Sequence, residues 1–178
     1  MFPLRQELHR LADPGRPPHL ALVRPGALGD TILLLPTVQR IQQELPQARL
    51  TLIGSHWARQ LTSLLPTPWR FVSFESPEFA CLFRPGGCDQ APAVLHDQDL
   101  VVLYTAQPQG AFADNVRRAC GGEVIARPAE PPAGVHAACH FAAAIAPEPP
   151  RQEELAPPEL RATPDGRRQA ARWLDQHG

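Results

Sequence analysis

The chain has 178 residues, a length that fits one domain or one domain with a short extension. Its 17 basic residues are balanced by 18 acidic ones, which excludes a protein that binds nucleic acid through bulk positive charge. All 17 basic residues are arginine, so the chain lacks the lysine of a Walker A phosphate loop and the lysine of a Schiff-base enzyme. Hydrophobic residues make up 43% of the chain, enough for a folded core.

The cysteines and the first residues bear on the cellular compartment. The four cysteines, at positions 81, 88, 120 and 139, match no zinc or disulfide spacing and are interpreted as free thiols. The first twenty residues carry charges throughout and lack the apolar core of a secretory signal. No apolar run approaches the length of a membrane-spanning helix. We therefore expect a cytoplasmic protein without a nucleic-acid partner.

Apolar periodicity predicts strands that alternate with helices. Residues 1–18 are interpreted as a short leader in which prolines stop a leucine-containing helix. In chain order the predicted elements are a strand at His19–Arg24, a helix at Ala27–Leu45, a strand at Arg49–Gly54, a helix at His56–Leu65, a strand at Trp69–Phe74, a short helix around Phe79–Phe83, a strand at Leu100–Thr105, a helix at Ala111–Cys120, a strand at Glu123–Ala126 and a helix at Val135–Ala146. Pro36 lies inside the first long helix and should kink or interrupt it.

This alternation predicts an α/β fold, a Rossmann-like parallel sheet with flanking helices and right-handed crossovers, over residues 19–146. Residues 147–163 are rich in proline and glutamate and are interpreted as a linker. A charged helix is predicted over Pro164–His177, with Trp173 and Leu174 on its narrow apolar face. Because such a helix normally leads into further structure, residues 147–178 are interpreted as a linker and a connecting helix.

Ligands of an open parallel sheet bind at the carboxyl ends of its strands, and the first loop at that edge is Arg24-Pro-Gly-Ala-Leu-Gly-Asp30. A dinucleotide site is disfavoured, because the loop holds only Gly26-x-x-Gly29 and no acid ends the second strand. Two interpretations of Asp30 stay open. The carboxylate can simply stabilise the helix N-terminus through the dipole. It can instead act as a general base that faces the cleft, in the charged form that the helix N-terminus and Arg24 both favour.

Three segments carry a resemblance to a known family. Residues 20–61, LALVRPGALGDTILLLPTVQRIQQELPQARLTLIGSHWARQL, closely resemble the opening of bacterial glycosyltransferase family 9, the ADP-heptose:lipopolysaccharide heptosyltransferases. The resemblance continues through DLVVLYTAQPQGAFADNVRRACGG (99–122) and GVHAACHFAAAIAP (134–147). It implies the N-terminal, acceptor-binding domain of a GT-B enzyme, in which two Rossmann-like domains face a cleft. It also implies an inverting, metal-independent transfer that uses a nucleotide-sugar donor and no cofactor.

The resemblance assigns expected roles to loop residues. Asp30 stands at the position of the family's presumed base, which takes the proton of the acceptor hydroxyl. Arg24 is expected to contact anionic groups of a lipopolysaccharide inner-core acceptor, or else to be a surface arginine that pairs with Asp30. Gly26 allows a tight turn, Gly29 allows close packing or close approach of a ligand, and both are expected to contact the acceptor. Thr105, at the end of the fourth strand, is a further expected acceptor contact by its position, with Tyr104 and Gln107 opening into the same cleft.

Two other motifs are not interpreted as sites. Asp97-Gln98-Asp99 has the DxD pattern of metal-dependent glycosyltransferases, but it precedes the fourth strand and so lies at the amino edge of the sheet. It is interpreted as a strand-entry turn. His136 and His140 share one helix face beside Cys139, yet no further ligands follow at a zinc spacing, so no metal site is expected.

Members of the resembled family are much longer than this chain and continue into a donor domain with its own glycine-rich loop. The chain ends where the first strand of that domain should begin. We therefore expect the donor to bind only together with a C-terminal domain, and the 178 residues to be inactive alone. Peripheral association with the cytoplasmic face of the inner membrane is expected for such an enzyme. The alternative is a non-catalytic Rossmann-like module that binds a glycan or a protein.

Overall fold

One parallel sheet organises the molecule. The computed structural model describes residues 6–11, 15–62, 64–65, 69–87 and 91–177. Within them the strands are β1 (His19–Arg24), β2 (Arg49–Gly54), β3 (Arg70–Ser73), β4 (Leu100–Thr105) and β5 (Glu123–Pro128). Their order is β3-β2-β1-β4-β5, and all neighbours pair in parallel. The predicted Rossmann-like α/β fold with flanking helices is therefore confirmed.

Helices cover both faces of the sheet. In chain order they are α1 (Gln6–Arg10), α2 (Leu28–Glu44), α3 (Ala58–Thr62), α4 (Ala93–His96), α5 (Ala111–Ala119), α6 (Ala137–Ala142) and α7 (Pro164–His177), with 3-10 helices at Pro77–Phe83 and Gln152–Glu154. Because β1, β2 and β4 are covered on both sides, they are continuous apolar runs and not alternating ones.

The core has two layers, one on each face of the sheet. The first layer joins alternate residues of the central strands to α1, α2 and α6, with Leu8, Leu35 and Phe141 fully buried in it. The second layer joins the other alternate residues to α5, α4 and the 3-10 helix, with Phe79 and Val116 buried in it. This period-two division fixes which strand residues can share a site at the sheet edge.

The bounds of four predicted elements, β1, β2, β4 and α7, match the structure. Pro36 does not interrupt α2, which runs through it as one helix of 17 residues, because Leu34, Leu35 and Val38 around it are packed into the core. The predicted helix at Val135–Ala146 is shortened to α6, and α4 was missed because a four-residue helix has no readable periodicity.

The two ends of the described chain differ in how they contact the sheet domain. Leu8 of α1 is fully buried, so part of the predicted leader belongs to the core. α7 contains no buried residue, and Trp173 and Leu174 are each 59% exposed. Among the described residues, no helix combines the length and apolarity needed to cross a membrane.

The cysteines follow the prediction in part. Cys120 and Cys139 are free thiols, and burial raises the pKa of both. The expectation of a free thiol is wrong for Cys81, which is disulfide-bonded. The spacing of the four cysteines contained no signal for this bond. Cys88, also interpreted as a free thiol, lies outside the described residues, as do Leu4, Pro14 and Gly178.

Candidate functional site

The polar loops of the sheet meet at the carboxyl ends of β1 and β4. β1 lies between β2 and β4 in the sheet. The connection after β1 leads to one side, toward β2, and the connection after β4 leads to the other side, toward β5. Such a switch point opens a crevice outside the carboxyl edge of a doubly wound sheet. This topology places the candidate crevice between the loop that leads from β1 to α2 and the loop that leads from β4 to α5.

Asp30 lies at this crevice, in the first turn of α2. Its Oδ2 accepts a hydrogen bond from the backbone N–H of Ala27 at 3.0 Å and lies 3.2 Å from Nη2 of Arg24. One third of the Asp30 side chain, 33%, remains exposed. The carboxylate therefore stabilises the helix N-terminus and is still accessible from the crevice, so the two interpretations of Asp30 are compatible.

Arg24 ends β1 and is mostly buried, with 11% of its side chain exposed. Its Nη1 donates to the carbonyl of Pro25 at 2.7 Å, and the guanidinium lies 5.4 Å from the ring centre of Phe141 in α6. It pairs with Asp30, but it is not the surface arginine that the sequence allowed. A buried arginine held by a cation–π contact keeps a fixed position at the sheet edge.

The two glycines of the loop differ in their surroundings. A Cβ at Gly26 would lie 2.6 Å from Oδ2 of Asp30 and 2.8 Å from Nη1 of Arg24. Only glycine therefore leaves the ion pair undisturbed, and its N–H also donates to Oγ of Ser55 at 3.1 Å. A Cβ at Gly29 would meet no atom within 4 Å, so this position faces open space.

β4 contributes less to the crevice than the sequence predicted. Tyr104 does not open into it: the ring is fully buried against Phe141, and its hydroxyl donates to the carbonyl of Phe141 at 2.6 Å. Burial raises the pKa of Tyr104 far above its ordinary value, so the phenol stays protonated. Thr105 is partly exposed, and its Oγ1 accepts a hydrogen bond from the backbone of Gln107 at 3.4 Å.

Sequence reasoning missed a second polar cluster at the same edge, after β2 and β3. Oε2 of Glu75 accepts from the hydroxyl of Ser73 at 2.6 Å, and its Oε1 lies 3.6 Å from Nδ1 of His56. The Ser73 hydrogen bond, the largest cause, and the contacts with His56 lower the pKa of Glu75. The position of these residues directly after predicted strands was the available signal.

The two motifs that were set aside have structural partners. Asp99 lies at the amino edge, where it is bonded to Arg16 and accepts from the backbone N–H of His19 at 2.8 Å. Nδ1 of His136 accepts from the N–H of Ala138 at the start of α6. Nε2 of His140 lies 2.8 Å from the carbonyl oxygen of Pro128.

The described residues thus form a Rossmann-like domain with an ion pair, Arg24 and Asp30, at the switch point of its sheet. In structure the chain is similar to the glycosyl transferase family 9 from Veillonella parvula DSM 2008, with a TM-score of 0.60, 13% identity and coverage of 93% of this chain and 52% of that one. E. coli heptosyltransferase WaaC with ADP gives a TM-score of 0.45 and 16% identity over 70% of this chain and 45% of that one. The chain spans about half the length of the structures it matches. No family model and no curated protein sequence matches it.

Proposed function

We propose that the chain is the acceptor-binding half of a glycosyltransferase of the heptosyltransferase type. The reaction would move a heptose from an ADP-heptose-like donor to a lipopolysaccharide inner-core-like acceptor, with inversion at the anomeric carbon. The fold likeness to a glycosyl transferase of family 9 supports the class. The observation that carries the assignment is the partly exposed Asp30 carboxylate at the switch-point crevice, fixed by Arg24 and Ala27.

In the proposed reaction the acceptor hydroxyl oxygen attacks the anomeric carbon of the donor sugar. The bond from that carbon to the phosphate oxygen breaks, the nucleotide leaves with the bonding electrons, and Asp30 takes the proton of the hydroxyl. A positioned base of this kind contributes about 10²–10⁴-fold to the rate. Because two groups hold Oδ2, the carboxylate needs little reorganisation when the acceptor arrives.

The acceptor would lie along the loop after β1. Gly29 faces open space and lets a sugar approach the backbone, while Gly26 keeps Arg24 and Asp30 together. Arg24 would contribute positive charge and Thr105 a hydroxyl from the opposite side of the crevice. The proposed acceptor is lipid-linked, which would bring the protein to the cytoplasmic face of the inner membrane.

The donor would be bound by a second domain. Stabilising the leaving nucleotide requires hydrogen-bond donors placed around its developing charge, and the proposal assigns none of the described residues to that task. It also uses no metal ion and no cofactor. We therefore expect the 178-residue chain alone to bind the acceptor, to bind ADP-heptose weakly or not at all, and to transfer no sugar.

A non-catalytic glycan-binding module is the second candidate. It is favoured by the two contacts that Oδ2 of Asp30 already makes, which are those of a residue that stabilises a helix N-terminus. In this case the crevice would bind a glycan without any proton transfer. A transfer assay separates the two candidates.

The assay compares two variants of an enzyme that joins these residues to a donor-binding domain. Asp30→Asn removes the base and keeps the shape of the side chain, so it should lower transfer from ADP-heptose by about 10² or more. The matched control is Asp114→Asn, because Asp114 also lies in the first turn of a helix and pairs with an arginine, Arg117. Unchanged turnover of Asp30→Asn, with the acceptor still bound, would favour the non-catalytic module.

A further inference from the structure

Two arginines lie in one row across the carboxyl edge of the sheet. In the β4–β5 register Tyr104 is paired with Arg127, and Val23 of β1 is paired with Leu103. Arg24 is therefore level with Tyr104, so Arg24, Tyr104 and Arg127 occupy neighbouring positions on three adjacent strands. Strands are about 4.8 Å apart, which places the two arginine Cα atoms roughly 10 Å from each other.

The side chains of this row point to the same face of the sheet. Neighbouring residues of one row share a face, and residues two apart along a strand do so as well. Ile125, two residues before Arg127, packs against the first core layer, to which Tyr104 also belongs. The Arg24 guanidinium lies over Phe141 of that same layer. Both arginines oppose the rise of the Tyr104 pKa that burial causes, as positive charges close to the phenol do.

These two arginines carry more donors than the protein satisfies. The Nε atoms of Arg24 and Arg127 are buried, and neither has a hydrogen-bond partner among the described residues. Arg24 uses its two Nη groups on Pro25 and Asp30. For Arg127 the described part of the chain supplies no acidic partner within salt-bridge distance. Buried polar groups are normally paired, so two such guanidinium groups at a ligand-binding edge call for an explanation.

The local charge has a definite sign. Arg24 and Arg127 contribute two positive charges, and Asp30 contributes one negative charge, which leaves a net charge of about +1 at the row. Arginine is suited to carboxylate and phosphate because its planar fork of donors binds two oxygens at once. A neutral ligand would leave this excess charge uncompensated.

We propose that Arg127 and Arg24 form an anion clamp over Tyr104 that binds a carboxylate or phosphate group of the acceptor glycan. The inference rests on the proposed function and adds Arg127 as a residue that determines acceptor specificity. Tyr104 does not contact the anion: it forms the buried floor of the row, held by its hydrogen bond to the Phe141 carbonyl. The guanidinium groups of two strands, β1 and β5, bind the anion. The bound anion then orients the rest of the sugar along the sheet edge toward Asp30.

The test is residue-resolved NMR on the 178-residue chain with a deacylated lipopolysaccharide inner-core oligosaccharide. The Nε–H signals of the arginines report the clamp, and the backbone signals of Ala27 and Asp30 report the loop. Three forms of the oligosaccharide distinguish the anion: intact, dephosphorylated, and dephosphorylated with its carboxyl groups reduced. We expect the Arg127 Nε–H signal to shift with at least one charged form and not with the last, neutral form.

Arg127→Gln should weaken binding of the charged form about tenfold or more, because a charge-assisted hydrogen bond is lost. Arg70→Gln is the matched control, since Arg70 is exposed and begins β3 at the opposite edge of the sheet. It should leave the affinity unchanged. Equal binding of the charged and neutral forms, or full affinity in Arg127→Gln, would overturn the clamp.

The same spectra separate the clamp from the proposed function. If Ala27 and Asp30 shift while Arg127 does not, a glycan binds at the loop, and the clamp alone is wrong. If no signal at the carboxyl edge shifts with any form at saturating concentration, both the clamp and the acceptor site are contradicted.

Discussion

Asp30 and Arg24 share their loop with the residue that makes their pairing possible. Gly26 has no side chain, and any Cβ there would come within 3 Å of both charged groups. The nearer of the two atoms it would meet, Oδ2 of Asp30, ends a partly exposed side chain, so it can move aside at small cost to the fold. A side chain at position 26 would therefore disturb the positions of Asp30 and Arg24 more than the stability of the fold.

The two loop glycines should respond differently to substitution by alanine. Gly26→Ala should change the free energy of unfolding little but displace Asp30, and so weaken acceptor binding. Gly29→Ala lies inside α2 with open space around the new methyl group, so it should raise the free energy of unfolding by about 0.5–1 kcal/mol. Urea unfolding measures the stability of both variants, and titration with the acceptor glycan measures the affinity of Gly26→Ala. A loss of stability in Gly29→Ala would show that its surroundings are not open.

Single residues also show the limits of sequence reasoning. Asp30, Arg24 and Gly26 could be placed at the site because they follow a predicted strand. Tyr104, the second-last residue of β4, could not be placed in the core, because a residue close to the end of a strand can face either the core or the crevice. The face depends on α6, whose Phe141 is distant in sequence. The roles of His56 and Glu75 depend on the pairing of β2 with β3, which the sequence does not state.

At the scale of elements, Asp99 joins the amino ends of β1 and β4. Its carboxylate accepts a hydrogen bond from the backbone N–H of His19 in β1 and pairs with Arg16. Asp99 itself directly precedes Leu100, the first residue of β4. Burial raises the pKa of Asp99, but the hydrogen bonds from Arg16 and His19 outweigh it, so the pKa of Asp99 lies below its ordinary value.

This lowered pKa predicts how stability depends on pH. Because the folded carboxyl has the lower pKa, its contribution is fully present above the unfolded value of about 3.9 and is lost as the pH falls through the folded value. Asp99→Asn should cost about 1–2 kcal/mol at neutral pH and flatten the acid limb of the stability curve. The matched control is Asp97→Asn, because Asp97 is exposed. It should change neither the stability at neutral pH nor the slope of the acid limb. Urea unfolding between pH 2 and 7 provides the measurement, and parallel acid limbs for wild type and Asp99→Asn would contradict the assignment.

Elements differ in how far the sequence determines them. β1, β2 and β4 were predictable because a short apolar run that ends in glycine, proline or a polar residue has few alternatives. α6 was overestimated, because the alanine-rich segment has helical propensity beyond Ala142 but ends in turns that bury Ala144 and Ile145. Tertiary packing decided the outcome there.

At the scale of the whole molecule, the last helix buries no residue against the sheet domain. The sequence predicted both, and it predicted that α7 would be connected through a proline-rich segment. The leucine spacing predicted a helix in the leader, but the sequence could not show that Leu8 of α1 packs into the core of the sheet domain. Leu8 nevertheless belongs to the same core layer as Leu35 and Phe141.

The two ends of the chain should therefore respond differently to alteration. Leu8 is fully buried, so Leu8→Ala should lower the free energy of unfolding by about 2–5 kcal/mol through lost burial and a cavity. Truncation after Thr163 removes α7, in which no residue is buried, and should change that free energy by less than about 0.5 kcal/mol. An isolated helix of 14 residues is marginal in water, so α7 adds little stability of its own. The midpoints of urea unfolding compare the two variants directly. If the truncation were as destabilising as Leu8→Ala, α7 would have to pack against the sheet domain in solution, and its exposed Trp173 would then show the blue-shifted fluorescence of a buried indole.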